Sequence, residues 1–279
     1  MSPDISIVIC TRDRAESLAR VLERHARLET DPGWELVVVN DGSRDDTAAM
    51  LSRAASTAPL AGRLRVVTTP GVGLGAARNA GWQAATGELV LFTDDDCYPA
   101  DDLLDRLREC FADPAVSFIG GRLLPYTPED AAIAVVTRTE RVEIAGPGFV
   151  PAGLLPGANL TVRRSALERV GGFDPEFGAG TRFPAEDVEL VARLAGAGLR
   201  GGYDPRPVVH HHHGRVSEDA QRSLRIEYDR GRGAYYAKCL SNPVLRPHYL
   251  RAIARRLLKG SWRRGGRELA GAIGDWTRS

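Results

Sequence analysis

Acidic side chains follow two apolar segments in the first hundred residues. Asp94-Asp95-Asp96 comes directly after the apolar run 88–93, and Asp41 ends the run that begins at residue 35. Adjacent carboxylates repel one another unless a cation or solvent compensates. Mg²⁺ commonly takes one or two carboxylates and completes its shell with substrate phosphates and water. The triplet therefore indicates a divalent-cation site, with a solvated helix cap as the alternative. Asp41 could accept hydrogen bonds from a nucleotide base, or simply belong to a turn.

A glycine-rich stretch joins the third apolar segment to a helical pattern. It reads Gly71-Val72-Gly73-Leu74-Gly75, and Arg78 follows within the first turn. Glycines let backbone N–H groups approach phosphate, and a helix N-terminus favours anions. Arg78 would add a charge-assisted contact to a diphosphate. The stretch also fits a dinucleotide fingerprint, but it follows the third predicted strand rather than the first. A glycine turn with a surface arginine is the alternative.

Two further groups offer proton transfer and metal ligation. Glu186-Asp187 opens a helical pattern, where one carboxylate would act as a general base for an acceptor hydroxyl. Acidic residues in a first helical turn also stabilise the helix dipole, which is the alternative. Four histidines, 210–213, end an apolar segment. His211 and His213 share one face of an extended chain, and we take His211 as the candidate ligand that completes the metal shell.

Strands and helices alternate through the first half. Strands are predicted at 5–10, 35–40, 64–69 and 88–93, and helices at 15–27, 45–56, 75–85 and 100–111. This alternation predicts parallel strands with right-handed crossovers, whose carboxyl ends meet at one edge. The second half is less regular. Strands are predicted at 116–122 and 157–163, helices at 128–145 and 186–197, a strand or loop at 208–213, and helices after 217.

Composition limits the function classes. The chain has 279 residues, a formal net charge of +1 and 43% hydrophobic residues, so it can form a sizeable core and lacks the basic excess of a nucleic-acid-binding protein. The four cysteines are scattered, and no signal-peptide pattern or run of about 20 apolar residues is present. We expect a cytoplasmic location. Beyond Val244 the sequence is basic and amphipathic, which suits a helix packed on the catalytic domain or a peripheral contact with the inner face of a membrane.

Six ordered motifs carry a resemblance to a known family. They are SIVICTRDR, VVVNDGSRDDT, GLGAARNAG, ELVLFTDDDC, GANLTVRRSALERVGGFDPEF and FPAEDVEL. Together they resemble family 2 of the glycosyltransferases over residues 5–213. The resemblance implies an α/β fold of the GT-A type, with a mostly parallel nucleotide-binding sheet flanked by helices. It places a catalytic domain at 1–215, with a nucleotide-binding half at 1–122 and an acceptor half at 123–215, before a helical C-terminal extension at 216–279.

The resemblance also assigns roles to individual residues. Thr11, Arg12 and Asp13 would line the nucleotide pocket, although the family usually has Tyr-Asn where this chain has Arg12-Asp13. A guanidinium plane can stack on a base much as tyrosine does. The remaining roles are base recognition by Asp41, diphosphate contact by Arg78, ribose and donor-sugar contact by Asp94 and Asp95, metal ligation by Asp96, and general base catalysis by Asp187.

The function implied is an inverting, metal-dependent transfer of a sugar from a UDP-sugar to an acceptor hydroxyl, with Mn²⁺ or Mg²⁺ as cofactor. The acceptor could be lipid-linked, a growing glycan or a small natural product. One rival is a metal-dependent nucleotidyl- or phosphotransferase, but the sequence shows neither a phosphate-binding lysine motif nor a P-loop. A glycoside hydrolase would leave the nucleotide motifs without a role. Another rival is a non-catalytic domain that binds a nucleotide-sugar.

Overall fold

The structure, a computed structural model, describes residues 3–28, 33–128, 134–212, 214 and 218–258. The first half contains the strands β1 Ile5–Thr11, β2 Trp34–Asp41, β3 Leu64–Thr69 and β4 Leu89–Asp94, and the helices between them are α1 Ala15–His25, α2 Thr47–Ser56 and α3 Leu74–Ala84. The four strands are parallel and lie side by side in the order β3-β2-β1-β4.

Register brings the polar ends of these strands together. Cys10 pairs with Asp94 across β1 and β4, and Asp41 pairs with Thr69 across β2 and β3. β1 and β2 are almost entirely buried because helices cover both faces of the sheet. The polar residues predicted to converge therefore emerge at one sheet edge.

The second half extends the same sheet with mixed pairing. The added strands are β5 Cys97–Pro99, β6 Val116–Pro125, β7 Val142–Ala145, β8 Leu160–Arg163 and β9 Arg200–His211, and the helices are α4 Leu103–Cys110, α5 Arg164–Val170, α6 Glu186–Gly196, α7 Glu218–Ser241 and α8 Arg246–Leu258. β8 runs antiparallel to both β4 and β6, β6 runs parallel to β9, and β5 and β7 pair antiparallel with β9. The predicted α/β class with flanking helices is confirmed, and the parallel nucleotide-binding strands form one part of a mixed nine-stranded sheet.

One local prediction was wrong, and a predicted strand or loop is the end of a longer strand. The helix predicted over 128–145 is not present in its described part, 134–145, which instead contains β7. Val142 and Ile144 alternate with more polar or smaller residues, and β7 pairs with the first residues of β9. The strand or loop predicted at 208–213 is the end of the twelve-residue β9. Glycines and prolines near its start disguise the strand, since both are normally depleted in strands.

The core has two layers, one on each face of the sheet. The layer that contains Phe92 and Leu190 also takes in the described part of the C-terminal extension. Tyr235 of α7 and Tyr249 of α8 are both fully buried there. Among the described helices, none has the length and apolar composition that crossing a bilayer demands.

Candidate active site

A cleft of about 650 Å³ opens beyond the carboxyl ends of β1, β2 and β4. Its volume lies within the range of small-molecule sites. Nine of the ten residues given individual site roles line it: Thr11, Arg12, Asp41, Arg78, Asp94, Asp95, Asp96, Asp187 and His211. The fold therefore brings together side chains that are up to 200 positions apart in the chain.

Asp41 fixes the glycine-rich loop. Its carboxylate accepts hydrogen bonds from the Thr69 hydroxyl at 2.6 Å and from the N–H groups of Gly71, Val72 and Gly73 at 3.1, 2.7 and 3.0 Å. Burial alone would raise the pKa of Asp41, but these hydrogen bonds outweigh it and lower the pKa. Gly73 needs the freedom of glycine because its φ is +87°. The loop is thus held in one shape by a charged anchor at the end of β2.

Arg78 is a buried cation between two acidic groups. Its guanidinium donates to Glu186 at 2.8 Å and to Asp94 at 3.0 Å, and it lies over the Phe173 ring. Glu186 is itself buried, and burial raises its pKa to about 7 against the opposing effect of Arg78. Arg78 therefore links the β4 end, α3 and the start of α6. The guanidinium lines the cleft, and the two carboxylates neutralise part of its charge. A bound anion would contact it there.

Asp95 is held by the β1–α1 loop. It accepts a hydrogen bond from the Thr11 hydroxyl at 2.7 Å and lies 3.0 Å from the Nε of Arg14. Burial raises the pKa of Asp95 to about 7, although Arg14 and the Thr11 hydroxyl oppose the shift. The β1 strand end and the acidic triplet are thereby joined.

Asp96 and His211 form the part of the cleft that suits a metal ion. The Oδ1 of Asp96 lies 3.2 Å from the Nε2 of His211, and Cys97 completes a group whose ligand atoms lie within 4.8 Å of one another. Adjacent ligands of an octahedral cation with bonds of about 2.1 Å lie roughly 3 Å apart, so the Asp96–His211 spacing fits. The Nδ1 of His211 lies 3.2 Å from the carbonyl oxygen of Ala134, and this contact fixes the orientation of the ring.

The imidazole and the carboxylate also interact without a metal. Burial would lower the pKa of His211, but the hydrogen bond to Asp96 outweighs it and raises the pKa. The His211 proton and a metal ion would compete for the same nitrogen, so metal binding there would release a proton. His210 of β9 pairs with Tyr98 of β5, and the ring of His212 lies near the ring of Tyr126. His213 lies outside the described residues.

Asp187 lies at the start of α6 and lines the cleft. Its two oxygens accept from the N–H of Gly157 at 2.9 Å and from its neighbour Val188 at 2.7 Å. Burial raises the pKa of Asp187 against the effect of Arg78. The preceding Ala185 has a φ of +101°, which costs free energy in a residue with a side chain. This strained turn aims the acidic pair into the cleft.

Asp13 lies apart from the cleft lining. It is exposed, its carboxylate accepts from the N–H of Arg44 at 2.6 Å, and its own N–H donates to Ser43. It therefore ties the β1–α1 loop to the β2–α2 loop. Arg12 remains at the cleft, with its guanidinium beside Gly71.

Among the cleft-lining residues that sequence reasoning missed, three carry a charge or a hydroxyl, namely Arg14, Tyr228 and Arg232. Arg14 stands in the TRDR stretch directly after β1, and its charge next to an acidic triplet was a usable signal. Tyr228 and Arg232 come from α7, which no motif connects to the cleft. Their position could be learned only from the packing of α7 on the rest of the molecule.

Similar proteins of solved structure share this fold. A mannosyltransferase from Pyrobaculum calidifontis, solved with GDP-Man and Mn²⁺, has a TM-score of 0.67 at 23% identity and covers 98% of this chain and 87% of its own. S. aureus TarS residues 1–349, solved with UDP-GlcNAc, has a TM-score of 0.64 at 18% identity and covers 89% and 69%. At these identities the likeness shows the GT-A fold.

Sequence comparison gives the family. The pre-mycofactocin glycosyltransferase of Mycobacterium tuberculosis (strain ATCC 25618 / H37Rv) is 30% identical over 217 residues, which are 75% of this chain and 43% of that protein. The chain spans about half the length of the curated relatives it matches. The model of glycosyl transferase family 2 matches residues 6–171, which is more than half of the chain. The chain therefore belongs to glycosyl transferase family 2.

Proposed function

We propose that the chain is an inverting, metal-dependent glycosyltransferase that moves a sugar from a nucleoside-diphosphate donor, a UDP-sugar, to an acceptor hydroxyl. The observation that carries the proposal is the meeting in one cleft of a metal-suited pair, a buried arginine and a separate carboxylate. These are Asp96 with His211, Arg78, and Asp187. Family membership and the nucleotide-sugars bound by the two structural neighbours support it.

The donor would lie along the sheet edge. Asp41 and the β1 strand end border the space for the base, with Arg12 available to stack on it. The diphosphate would lie between Arg78 and the Asp96–His211 pair, near the N-terminus of α3, where the positive end of the helix dipole favours anions. A divalent cation held by Asp96 and His211 would supply Lewis-acid stabilisation of the diphosphate charge.

Asp187 would take the proton from the acceptor hydroxyl. The acceptor oxygen then forms its bond to the anomeric carbon while the bond from that carbon to the diphosphate oxygen breaks, and the electron pair leaves with the diphosphate. Attack opposite the leaving group inverts the anomeric carbon and needs no covalent enzyme intermediate. The raised pKa of Asp187 strengthens it as a base. Arg78 stabilises the charge that develops on the departing group.

The test pairs binding with turnover. Thermal shifts would be measured with UDP and GDP, each with and without Mn²⁺ or Mg²⁺, since a ligand of the folded state raises the melting temperature. We expect a nucleotide shift that needs the metal and that Asp96→Asn removes. Asp101→Asn is the matched control because Asp101 is 84% exposed at its side chain and lies outside the cleft lining.

Turnover separates the rival functions. Asp187→Asn should keep the metal-dependent shift but lose roughly 10²–10⁴-fold in sugar transfer or donor hydrolysis, the usual contribution of a general base. A shift without any release of sugar from UDP-sugars or GDP-sugars would instead indicate a non-catalytic binding domain. Transfer of a phosphoryl or nucleotidyl group would indicate a metal-dependent nucleotidyl- or phosphotransferase and overturn the proposal.

A further inference from the structure

Arg14 lies in the loop between β1 and α1 and forms ion pairs with two carboxylates of the acidic triplet. Its Nε lies 3.0 Å from Asp95 Oδ1 and its Nη2 lies 2.9 Å from Asp96 Oδ2. The two carboxyl side chains are 10% and 12% exposed, whereas the Arg14 side chain is 41% exposed. One cation from a surface loop therefore bridges two nearly buried carboxylates.

The Arg14 ion pairs reduce the repulsion between the carboxylates of Asp95 and Asp96 in the donor-free protein. Adjacent carboxylates in a partly dry cleft repel each other strongly unless a positive charge lies between them. Arg78 already serves Asp94 and Glu186, so it is committed elsewhere. Arg14 is thus the arginine that compensates Asp95 and Asp96.

A metal ion at the Asp96–His211 pair would meet that same charge. The carboxylate of Asp96 offers Oδ1 to His211 and Oδ2 to Arg14. A cation bound at Oδ1 would lie within about 7 Å of the guanidinium, because only one carboxylate separates them. Two like charges at that distance, in a cleft with an effective dielectric far below that of water, repel by an amount that lowers affinity severalfold or more.

We propose that Arg14 is an intramolecular counter-ion that competes with the metal for the acidic triplet and leaves the triplet only when metal and diphosphate bind together. The inference rests on the proposed metal-dependent function. The exposed stem of Arg14 lets the guanidinium leave the triplet without disturbing the core, and it remains in the cleft where the diphosphate would lie. The diphosphate offers oxygens that match the guanidinium fork. Arg14 thereby makes metal binding weak alone and strong with the donor.

The test measures Mn²⁺ binding directly, by the loss of the free-ion electron paramagnetic resonance signal. The proteins are wild type, Arg14→Gln and Arg14→Lys, each with and without UDP, and Arg12→Gln without UDP only, because Arg12 borders the proposed space for the base. Arg12→Gln is the matched control, because it removes a cleft arginine whose guanidinium lies beside Gly71. Circular dichroism with Mn²⁺ present confirms that each variant is folded.

We expect Arg14→Gln to bind Mn²⁺ alone about tenfold more tightly than wild type, because the competing charge is gone. Arg12→Gln should change that affinity by less than about threefold. Arg14→Lys should lie between wild type and Arg14→Gln, since lysine keeps the charge but loses the two-pronged contact. The factor by which UDP tightens Mn²⁺ binding should be smaller in Arg14→Gln than in wild type, and the reciprocal effect of Mn²⁺ on UDP must fall equally.

Two failures are distinguishable. If Arg14→Gln binds Mn²⁺ alone no more tightly than wild type, or if Arg12→Gln has the same effect, Arg14 is not a specific competitor and the inference is wrong. If wild type binds no Mn²⁺ even with UDP, and Asp96→Asn changes nothing, then the proposed metal-dependent function itself fails.

Discussion

Individual carboxylates in the cleft differ in what compensates their charge. Asp41 accepts four hydrogen bonds and has a lowered pKa, whereas Asp95 has one hydroxyl and one exposed arginine and has a pKa raised to about 7. The first is a structural anchor that stays ionised. Burial makes ionisation of Asp95 unfavourable, as expected of a group whose charge is better compensated once a ligand is bound.

The cost of ionising Asp95 gives a pH prediction. In the unfolded chain an aspartate ionises near pH 4, about three units below the folded value. Between these values the folded state binds more protons than the unfolded state, so the free energy of unfolding falls as pH rises. Over three units this amounts to at most about 4 kcal/mol. Urea denaturation of the metal-free protein from about pH 4 to 8 should show this loss, and Asp95→Asn should remove the part that is due to Asp95 and keep the part due to Glu186 and Asp187.

Parallel pH profiles for wild type and Asp95→Asn would contradict the raised pKa. Asp101→Asn is the control, because its exposed carboxylate should leave the wild-type slope unchanged. Mn²⁺ with UDP should flatten the wild-type profile, since a bound cation favours the ionised form.

The Asp41 anchor gives a second prediction at this scale. Asp41→Asn replaces one acceptor oxygen with an N–H₂ group, so N–H groups of the glycine loop lose their partner. A buried backbone N–H left unpaired costs about 1–3 kcal/mol. We expect the free energy of unfolding to fall by that amount and nucleotide binding to weaken. Thr69→Val removes one of the four donors but leaves the carboxylate, so it should cost less. Equal losses in the two variants would contradict the anchoring role.

Elements near the cleft were predictable where a side chain and its strand end share one short motif. The Asp41, Asp94–Asp96 and glycine-loop positions follow from parallel strands that end at one edge, and register confirms that edge. The contribution of α7 was not predictable, because Tyr228 and Arg232 reach the cleft through packing between elements distant in sequence. The helix predicted at 128–145 failed because β7 is a four-residue strand stabilised by pairing with β9.

Helix α7 also supports the turn that carries the acidic pair. A Cβ on Gly231 would lie 2.2 Å from the carbonyl oxygen of Pro184, in the segment that leads through the strained Ala185 to Asp187. Helix propensity alone predicts that Gly231→Ala stabilises by about 1 kcal/mol. We expect the opposite sign, because the backbone carbonyl must move. Chemical denaturation and steady-state kinetics should show lower stability and a lower kcat with little change in the donor KM.

Gly33→Ala is the control for that experiment, since within the described part of the chain no atom beyond its two neighbours lies within 4 Å of the added Cβ. A stabilised Gly231→Ala with unchanged kcat would show that α7 does not constrain the base turn. A fall in stability alone would show that the contact is purely structural.

At the scale of the whole molecule, the described part of the C-terminal extension is continuous with the catalytic core. Tyr235 donates to the carbonyl oxygen of Val150 at 2.8 Å, and the N–H of Val150 donates to the Tyr249 hydroxyl at 3.3 Å. The two tyrosine hydroxyls also contact each other. The nearby residues Ala152, Gly153 and Leu155 line the cleft. Helices α7 and α8 thus hold one wall of the cleft, which supports their role as part of the same folding unit.

This continuity predicts one cooperative unfolding transition. Tyr249→Ala removes a fully buried ring and should cost about 3–5 kcal/mol, the usual range for a large aromatic residue cut to alanine. Leu258→Ala, on the same helix but 87% exposed, should change stability by less than about 0.5 kcal/mol. Calorimetry should show a single peak that moves to lower temperature in Tyr249→Ala. Binding of UDP and Mn²⁺ in the cleft should move the same peak to higher temperature. Two separate peaks, with only one sensitive to nucleotide, would mean that the extension folds independently of the cleft.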